Sequence, residues 1–288
     1  MQRASGRARL SGPCPRRVAG GPPNLRLGLA KPRNSNRRAL DTVPSPALRR
    51  AMDSEAPCAP CNICGGTAFR HGPSQRLAPT GRLPLCGSCH SLERHRIVRR
   101  VLDRLRPHFT EGKRLLQFSR DPGPDPAWFR EMTVSVWGGE NSLDLQNIEL
   151  PDARYDWIYS SHVLNHVPDH AAALKEMQRV VGANGVVLLS VGGTVSNYAS
   201  APSTLTLGPD RQFHIYGTEF ADDVREMVPD VAVLELVTVD PCTASMDSVF
   251  LTSRNIKTLR EMAWRAVPDN IHARVFPPAI SMRAVKRD

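Results

Sequence analysis

Two pairs of cysteines carry the first chemistry that this chain offers. Cys61-Asn62-Ile63-Cys64 and Cys86-Gly87-Ser88-Cys89 are CxxC pairs with 21 residues between them. Two such pairs supply four soft thiolates, the tetrahedral set that structural zinc prefers. Each CxxC closes a turn whose backbone amides point at the sulfurs. The intervening residues hold Phe69 and little else apolar, so a metal would supply stability that a core cannot. Five of the seven cysteines, at 58, 61, 64, 86 and 89, fall within 32 residues. That crowding fits metal in a reducing compartment better than a disulfide framework. Cys58 could replace one ligand, but Gly65-Gly66 follows Cys64 as in a zinc knuckle and favours Cys61 and Cys64. His71 and His90 are weaker substitutes.

Three histidines carry the second chemistry. His162 and His166 share a short polar loop with Ser160, Ser161 and Asn165, and His214 lies in Phe213-His214-Ile215-Tyr216-Gly217. A neutral imidazole can take a proton from a hydroxyl or an amine near pH 7. Each of the three has a structural alternative, as a helix-start or packing residue.

The elements that must position these groups read as α/β. The stretch Tyr155–Val191 is strand, loop, helix, turn, strand. Asp156–Tyr159 is a short apolar strand and Pro168-Asp169 a helix start. Leu174, Met177 and Val181 fall on one helical face, Gly182 is a C-cap, and Val186–Leu189 is a second buried strand. Such a βαβ unit belongs to a parallel sheet with its ligand crevice at the carboxyl edge, where the His162 loop emerges. Upstream, Arg114–Phe118 is a strand, Ala127–Met132 a short helix and Thr133–Trp137 a second strand ending in Gly138-Gly139-Glu140. An acid in that place can accept hydrogen bonds from ribose hydroxyls. Ile97, Val98, Val101, Leu102 and Leu105 make an apolar stripe on a helix after the last cysteine pair; Arg94, Arg99, Arg100 and Asp103 read as its solvated face. Residues 192–210 are small and polar, suited to a lid. Val231–Val239 and Ser248–Thr252 read as the last two strands, and 257–288 as a helix and tail.

Composition limits the partners. The net charge is +10, but residues 1–51 hold 12 Lys and Arg against the single acid Asp41, leaving 26 basic and 27 acidic residues elsewhere. The body is close to neutral, which disfavours RNA. The Arg/Pro-rich arm, 1–57, is expected to be disordered. It reads as an over-extended start with Met52 as the alternative, as a basic binding arm, or as an organellar leader. No run of about 18 apolar residues exists, so no membrane span is expected, and the expected location is cytoplasmic, with organellar import as the alternative. The oligomeric state is not legible.

The stretch from His162 through Val191 resembles the class I S-adenosylmethionine-dependent methyltransferases around their fourth and fifth strands. Cys86-Gly-Ser-Cys-His-Ser-Leu-Glu-Arg-His-Arg96 and Phe213–Gly217 are similar to elements of a subgroup with an N-terminal zinc ribbon. The resemblance implies a Rossmann-like sheet, mostly parallel with its last strand antiparallel, over 108–256. A ribbon and linking helix would span 58–107. It implies S-adenosylmethionine, with Phe118, Ser119 and Arg120 at the methionine end. Gly138 and Glu140 would meet the ribose, Asp144 and Leu145 the adenine, and Ser160 and His162 the sulfonium. Two positions depart from the family pattern. The usual glycine-rich turn is Phe118-Ser-Arg-Asp-Pro-Gly123, and Asn165 stands where relatives often have Glu. The expected acceptor is a small molecule or a glycan- or lipid-linked intermediate. The alternatives are an RNA methyltransferase and a non-catalytic binding protein on the same fold.

Overall fold

The computed structural model describes residues 59–192, the backbone of 201–202, and residues 212–267 and 271–280. The basic arm, Met52, Cys58 and nearly all of the expected lid lie outside the described residues.

A seven-stranded sheet organises the body. Its first four strands in sequence are β3 (Arg114–Phe118), β4 (Glu131–Ser135), β5 (Trp157–Ser161) and β6 (Val186–Ser190), after the short ribbon strands β1 (Phe69–Arg70) and β2 (Leu85–Cys86). β4, β3, β5 and β6 lie side by side and parallel. Next comes β10 (Met246–Ser253), antiparallel to β6, then β9 (Ala232–Val239) and β11 (His272–Phe276), each antiparallel to its neighbour. A separate pair joins β7 (Ala201–Pro202) and β8 (His214–Ile215).

Alternating side chains divide the core into two layers. Leu116, Ile158, Val187, Val233 and Phe250 face α2 (His170–Val181) and α3 (Phe220–Met227). Leu115, Trp157, Tyr159, Leu188, Leu234 and Leu251 face α1 (Glu93–Leu105) and α4 (Ile256–Ala266). Asp169 caps α2 through the Ala172 N–H at 2.8 Å. No helix among the described residues is long and apolar enough to cross a membrane.

Three local expectations are corrected. Residues 126–128 form a 3-10 turn instead of a helix over 127–132, and β4 starts at Glu131. The cause is Phe129, which turns into the core edge-on to Trp157, with ring centroids 6.5 Å apart. The tail contributes a strand, β11, registered on β9 by the ion pair of Arg274 with Glu235 at 2.6 Å. Arg99 is buried, not solvated: it donates to Asp125 Oδ2 at 2.8 Å and to Pro122 O at 3.1 Å.

The ribbon is not a loose appendage. Thr80 Oγ1 donates to Thr243 O at 2.6 Å and Arg82 to Cys242 O at 3.3 Å, so the ribbon sits on the β9–β10 turn. Beneath that contact Arg96, fully buried, holds Asp240 by two bonds of 2.8 Å.

Candidate functional site

The four cysteines converge. Sγ atoms of Cys61, Cys64, Cys86 and Cys89 all lie within 4.8 Å of one another, with Cys61–Cys89 at 3.7 Å and Cys64–Cys86 at 3.6 Å. A tetrahedron with metal–sulfur bonds of about 2.3 Å has edges of about 3.8 Å, so the set fits zinc. Burial raises the Cys61 thiol, but bonds from Ser91 and the amides of Ile63 and Cys64 outweigh it and bring it down to about 7. At Cys64 the Gly66 N–H favours the thiolate, yet burial and the sulfurs of Cys89, Cys86 and Cys61 push it up to about 12. Sulfurs so close oppose one another's ionisation until a cation sits between them. Cys242, buried at the ribbon's edge, belongs to the docking turn and not to the set.

The second site is the carboxyl edge of the parallel strands. Three chain exits meet there: after Phe118, after Ser135 and after Ser161. The first exit turns sharply. Ser119 takes φ 67°, a left-handed conformation that glycine adopts most readily. Its N–H donates to Ser135 O at 2.9 Å. Arg120 points outward and meets Glu140 at 3.4 Å, both side chains 73% exposed, so the carboxylate is accessible to a ligand. Gly138 lies beside it at φ 68° with open space where a Cβ would stand. Asp144 accepts from the Gln146 N–H at 2.9 Å, while Leu145 is buried in the core. Phe118 is buried in the same layer.

At the third exit Ser160 is 1% exposed and its Oγ has no hydrogen-bond partner. His162 follows at φ 53°, its N–H donating to Ser190 O at 2.7 Å. Its Nε2 is buried and also lacks a partner. Burial, then the Arg94 guanidinium and His95, push His162 down to about 3, so its ring is neutral at pH 7. Two orphaned polar atoms at a ligand edge are what a site for a polar ligand leaves open.

The other histidines stand apart. His166 is exposed at the end of the 3-10 turn Leu164–His166. His214 Nε2 hydrogen-bonds with Pro168 O at 3.1 Å, and its ring stacks on His170 with centroids 3.8 Å apart. Asn165 fastens this element to the loop: its O accepts from the Phe213 N–H at 2.8 Å and its Nδ2 donates to His214 O at 3.2 Å. Tyr216 completes the join by donating to Leu164 O.

Three polar residues at this edge escaped the sequence reading. Asp121, Tyr159 and His95 meet under the first exit, where Tyr159 donates to Asp121 Oδ2 at 2.9 Å and His95 Nε2 lies 3.4 Å from it. Extending the stripe Val98–Val101–Leu105 back one helical step lands on His95, a signal that was available. A fourth, Asp247, is half-buried near Glu93 and Arg94, and burial raises it to about 6. A cleft of 440 Å³ between Arg114, Trp157 and Asn184 lies at the opposite, amino edge, away from all these groups.

The sequence matches the methyltransferase domain family over residues 91–279. No curated protein matches it. Among solved structures it resembles the 1,6-didemethyltoxoflavin-N1-methyltransferase of Burkholderia thailandensis, which holds 1,6-didemethyltoxoflavin and S-adenosylhomocysteine. Identity is 16% and the TM-score 0.41, over 55% of this chain and 77% of that one. A SAM-dependent methyltransferase of Thermotoga maritima shares 13% identity with a TM-score of 0.34, over 55% and 92%. The YcgJ protein of Bacillus subtilis shares 11% with a TM-score of 0.37, over 55% and 98%.

Proposed function

We propose, for a chain that belongs to the methyltransferase domain family as a class I S-adenosylmethionine-dependent member, that the carboxyl-edge site methylates a small molecule or a glycan- or lipid-linked intermediate. The observation that carries this is the neutral His162, with its orphaned Nε2, beside the orphaned Ser160 Oγ.

S-adenosylmethionine supplies an electrophilic methyl group on a sulfonium. An acceptor oxygen or nitrogen attacks the methyl carbon in line, the carbon–sulfur bond breaks, and its electron pair leaves with sulfur. The chain's work is alignment and exclusion of water, and a strong base is optional. His162 suits this: held well below the usual imidazole range, it accepts a hydrogen bond from the acceptor and orients it, then passes the proton on. His166, exposed at the loop's outer end, is placed to relay that proton to solvent. We assign His214 to holding the Asn165 loop, since its Nε2 is engaged. Glu140 would accept from the ribose hydroxyls with Gly138 leaving room beside them. Asp144 and Leu145 would border the adenine, Phe118, Ser119 and Arg120 the methionine end, and Ser160 the sulfonium. Cys61, Cys64, Cys86 and Cys89 would hold a structural zinc.

The near-neutral body favours a small acceptor over RNA. Calorimetry of zinc-loaded protein with S-adenosylhomocysteine tests the cofactor half: one site per chain is expected, and no binding would leave only a non-catalytic reading. For the acceptor half, methyl incorporation from labelled donor is compared across small-molecule, glycan and RNA pools. Incorporation into RNA that survives removal of residues 1–51 would overturn the small-acceptor assignment.

A further inference from the structure

The turn after β3 lacks the glycines that normally let backbone approach this cofactor, yet it is held firmly. Asp121 is the centre of the hold. Its side chain is 2% exposed. Oδ1 accepts the Gly123 N–H at 2.7 Å, and Oδ2 accepts the Tyr159 hydroxyl at 2.9 Å. His95 Nδ1 accepts the Leu92 N–H at 3.1 Å, which places the ring proton on Nε2, facing Asp121 Oδ2. Gln117 Nε2 ties both ends of the turn, donating to Ser119 O at 2.8 Å and to Asp121 O at 3.1 Å. Gly123, the turn's single glycine, is pressed so closely on α1 that a Cβ would lie 3.0 Å from Val98 Cγ1. One face of α1, His95, Val98 and Arg99, thus grips the turn, and Tyr159 closes it from β5.

We propose that Asp121 is the positioning residue that gives this glycine-poor turn its cofactor-binding shape, clasped between Tyr159 and α1. This rests on the carboxyl-edge cofactor reading above. Elsewhere the glycine backbone makes such a turn by its own freedom; here an inward carboxylate shapes the turn from below, leaving Ser119 and Arg120 free at the rim. The same helix begins at the ribbon: Ser91 Oγ lies 3.3 Å from Cys61 Sγ and 3.2 Å from Cys89 Sγ. The metal set and the cofactor turn are therefore joined through residues 91–99.

The test uses the zinc-loaded full chain with S-adenosylhomocysteine in a calorimeter. Asp121→Asn keeps the shape and loses the charge; Tyr159→Phe keeps the ring and loses the donor. Each is expected to weaken Kd by about tenfold, at unchanged stoichiometry and unchanged zinc content. A merely structural role would instead lower the number of competent sites at unchanged Kd. The double variant is expected to bind no more weakly than Asp121→Asn alone, because both act through one bond. Hydrogen exchange, read without ligand, is expected to speed up at 119–124. Wild-type binding with unchanged Kd and unchanged exchange in Asp121→Asn would overturn this proposal alone. A wild-type chain that binds no S-adenosylhomocysteine would overturn the cofactor reading and this one with it. Glu140→Ala, which touches none of these bonds, separates the two: it weakens binding under the cofactor reading whatever Asp121 does.

Discussion

Arg96 and Asp240 form a bidentate ion pair with both side chains at 0% exposure, Nε to Oδ1 and Nη2 to Oδ2 each 2.8 Å. Asp240 also accepts from the Thr243 N–H and hydroxyl, and Arg96 donates to Pro84 O and Ser91 O. Every charged atom has a partner, so removing one side strands the other. Asp240→Asn should cost about 3–5 kcal/mol in chemical denaturation. Arg96→Lys should fail to rescue, since one ammonium cannot reach four acceptors.

Metal content separates the cysteines. Cys86→Ser should abolish zinc retention, while Cys58→Ser should leave one zinc per chain, measured by elemental analysis of purified protein. Stripping zinc with a chelator should lower Tm, because a structural ion's binding energy, of order 10 kcal/mol, is folding energy. Retention of full stoichiometry in Cys86→Ser would refute the assigned ligand set.

Stability should fall on acidification before most carboxylates titrate. His95, held at about 4 mainly by burial, and His162, at about 3, both lie below the ordinary 6.5. Below pH 6.5 the unfolded chain takes up protons that the folded chain refuses. The contribution is complete above 6.5, erodes as pH falls, and levels off near 3–4. Each histidine costs up to about 1.4 kcal/mol per pH unit in that window. Denaturation at several pH values, with metal content followed at each, checks this. A His95→Gln, His162→Gln chain should show a flatter profile.

Ligand affinity tests the rim. Glu140→Ala should weaken S-adenosylhomocysteine binding by about 10- to 100-fold, the worth of charge-assisted bonds to the ribose. The Arg120 contact that it also loses is exposed and worth little. His162→Ala should reduce turnover, once an acceptor is in hand, with little change in that affinity, because it faces the acceptor rather than the nucleoside.

What could be read from sequence was what local pattern carries. Tyr155–Val191 folds as its periodicity implies, because both strands are buried on both faces and α2 needs one apolar stripe. The paired CxxC spacing foretold the convergence of four sulfurs. The hold on Asp121 was not legible: Tyr159 reads as one more strand residue, and its bond spans 38 positions. β11 was hidden because His272-Ala-Arg-Val-Phe276 carries two polar side chains, and only the distant Glu235 explains why Arg274 suits a sheet. Asn165, which looked like a lost charge, fastens the His214 strand through its backbone and its amide.

The seat of the ribbon has a consequence in time. The cysteines that build the ribbon occupy 61–89 and leave the ribosome early, whereas the turn that receives it, Asp240 to Ser245, is made late. The joining bonds span 144 and 163 residues. Capture of the metal is a local event; docking must wait for the β9–β10 hairpin, and closures over such separations are slow. The ribbon is born first and anchored last, so for most of its synthesis the nascent chain carries a finished metal module with nowhere to sit.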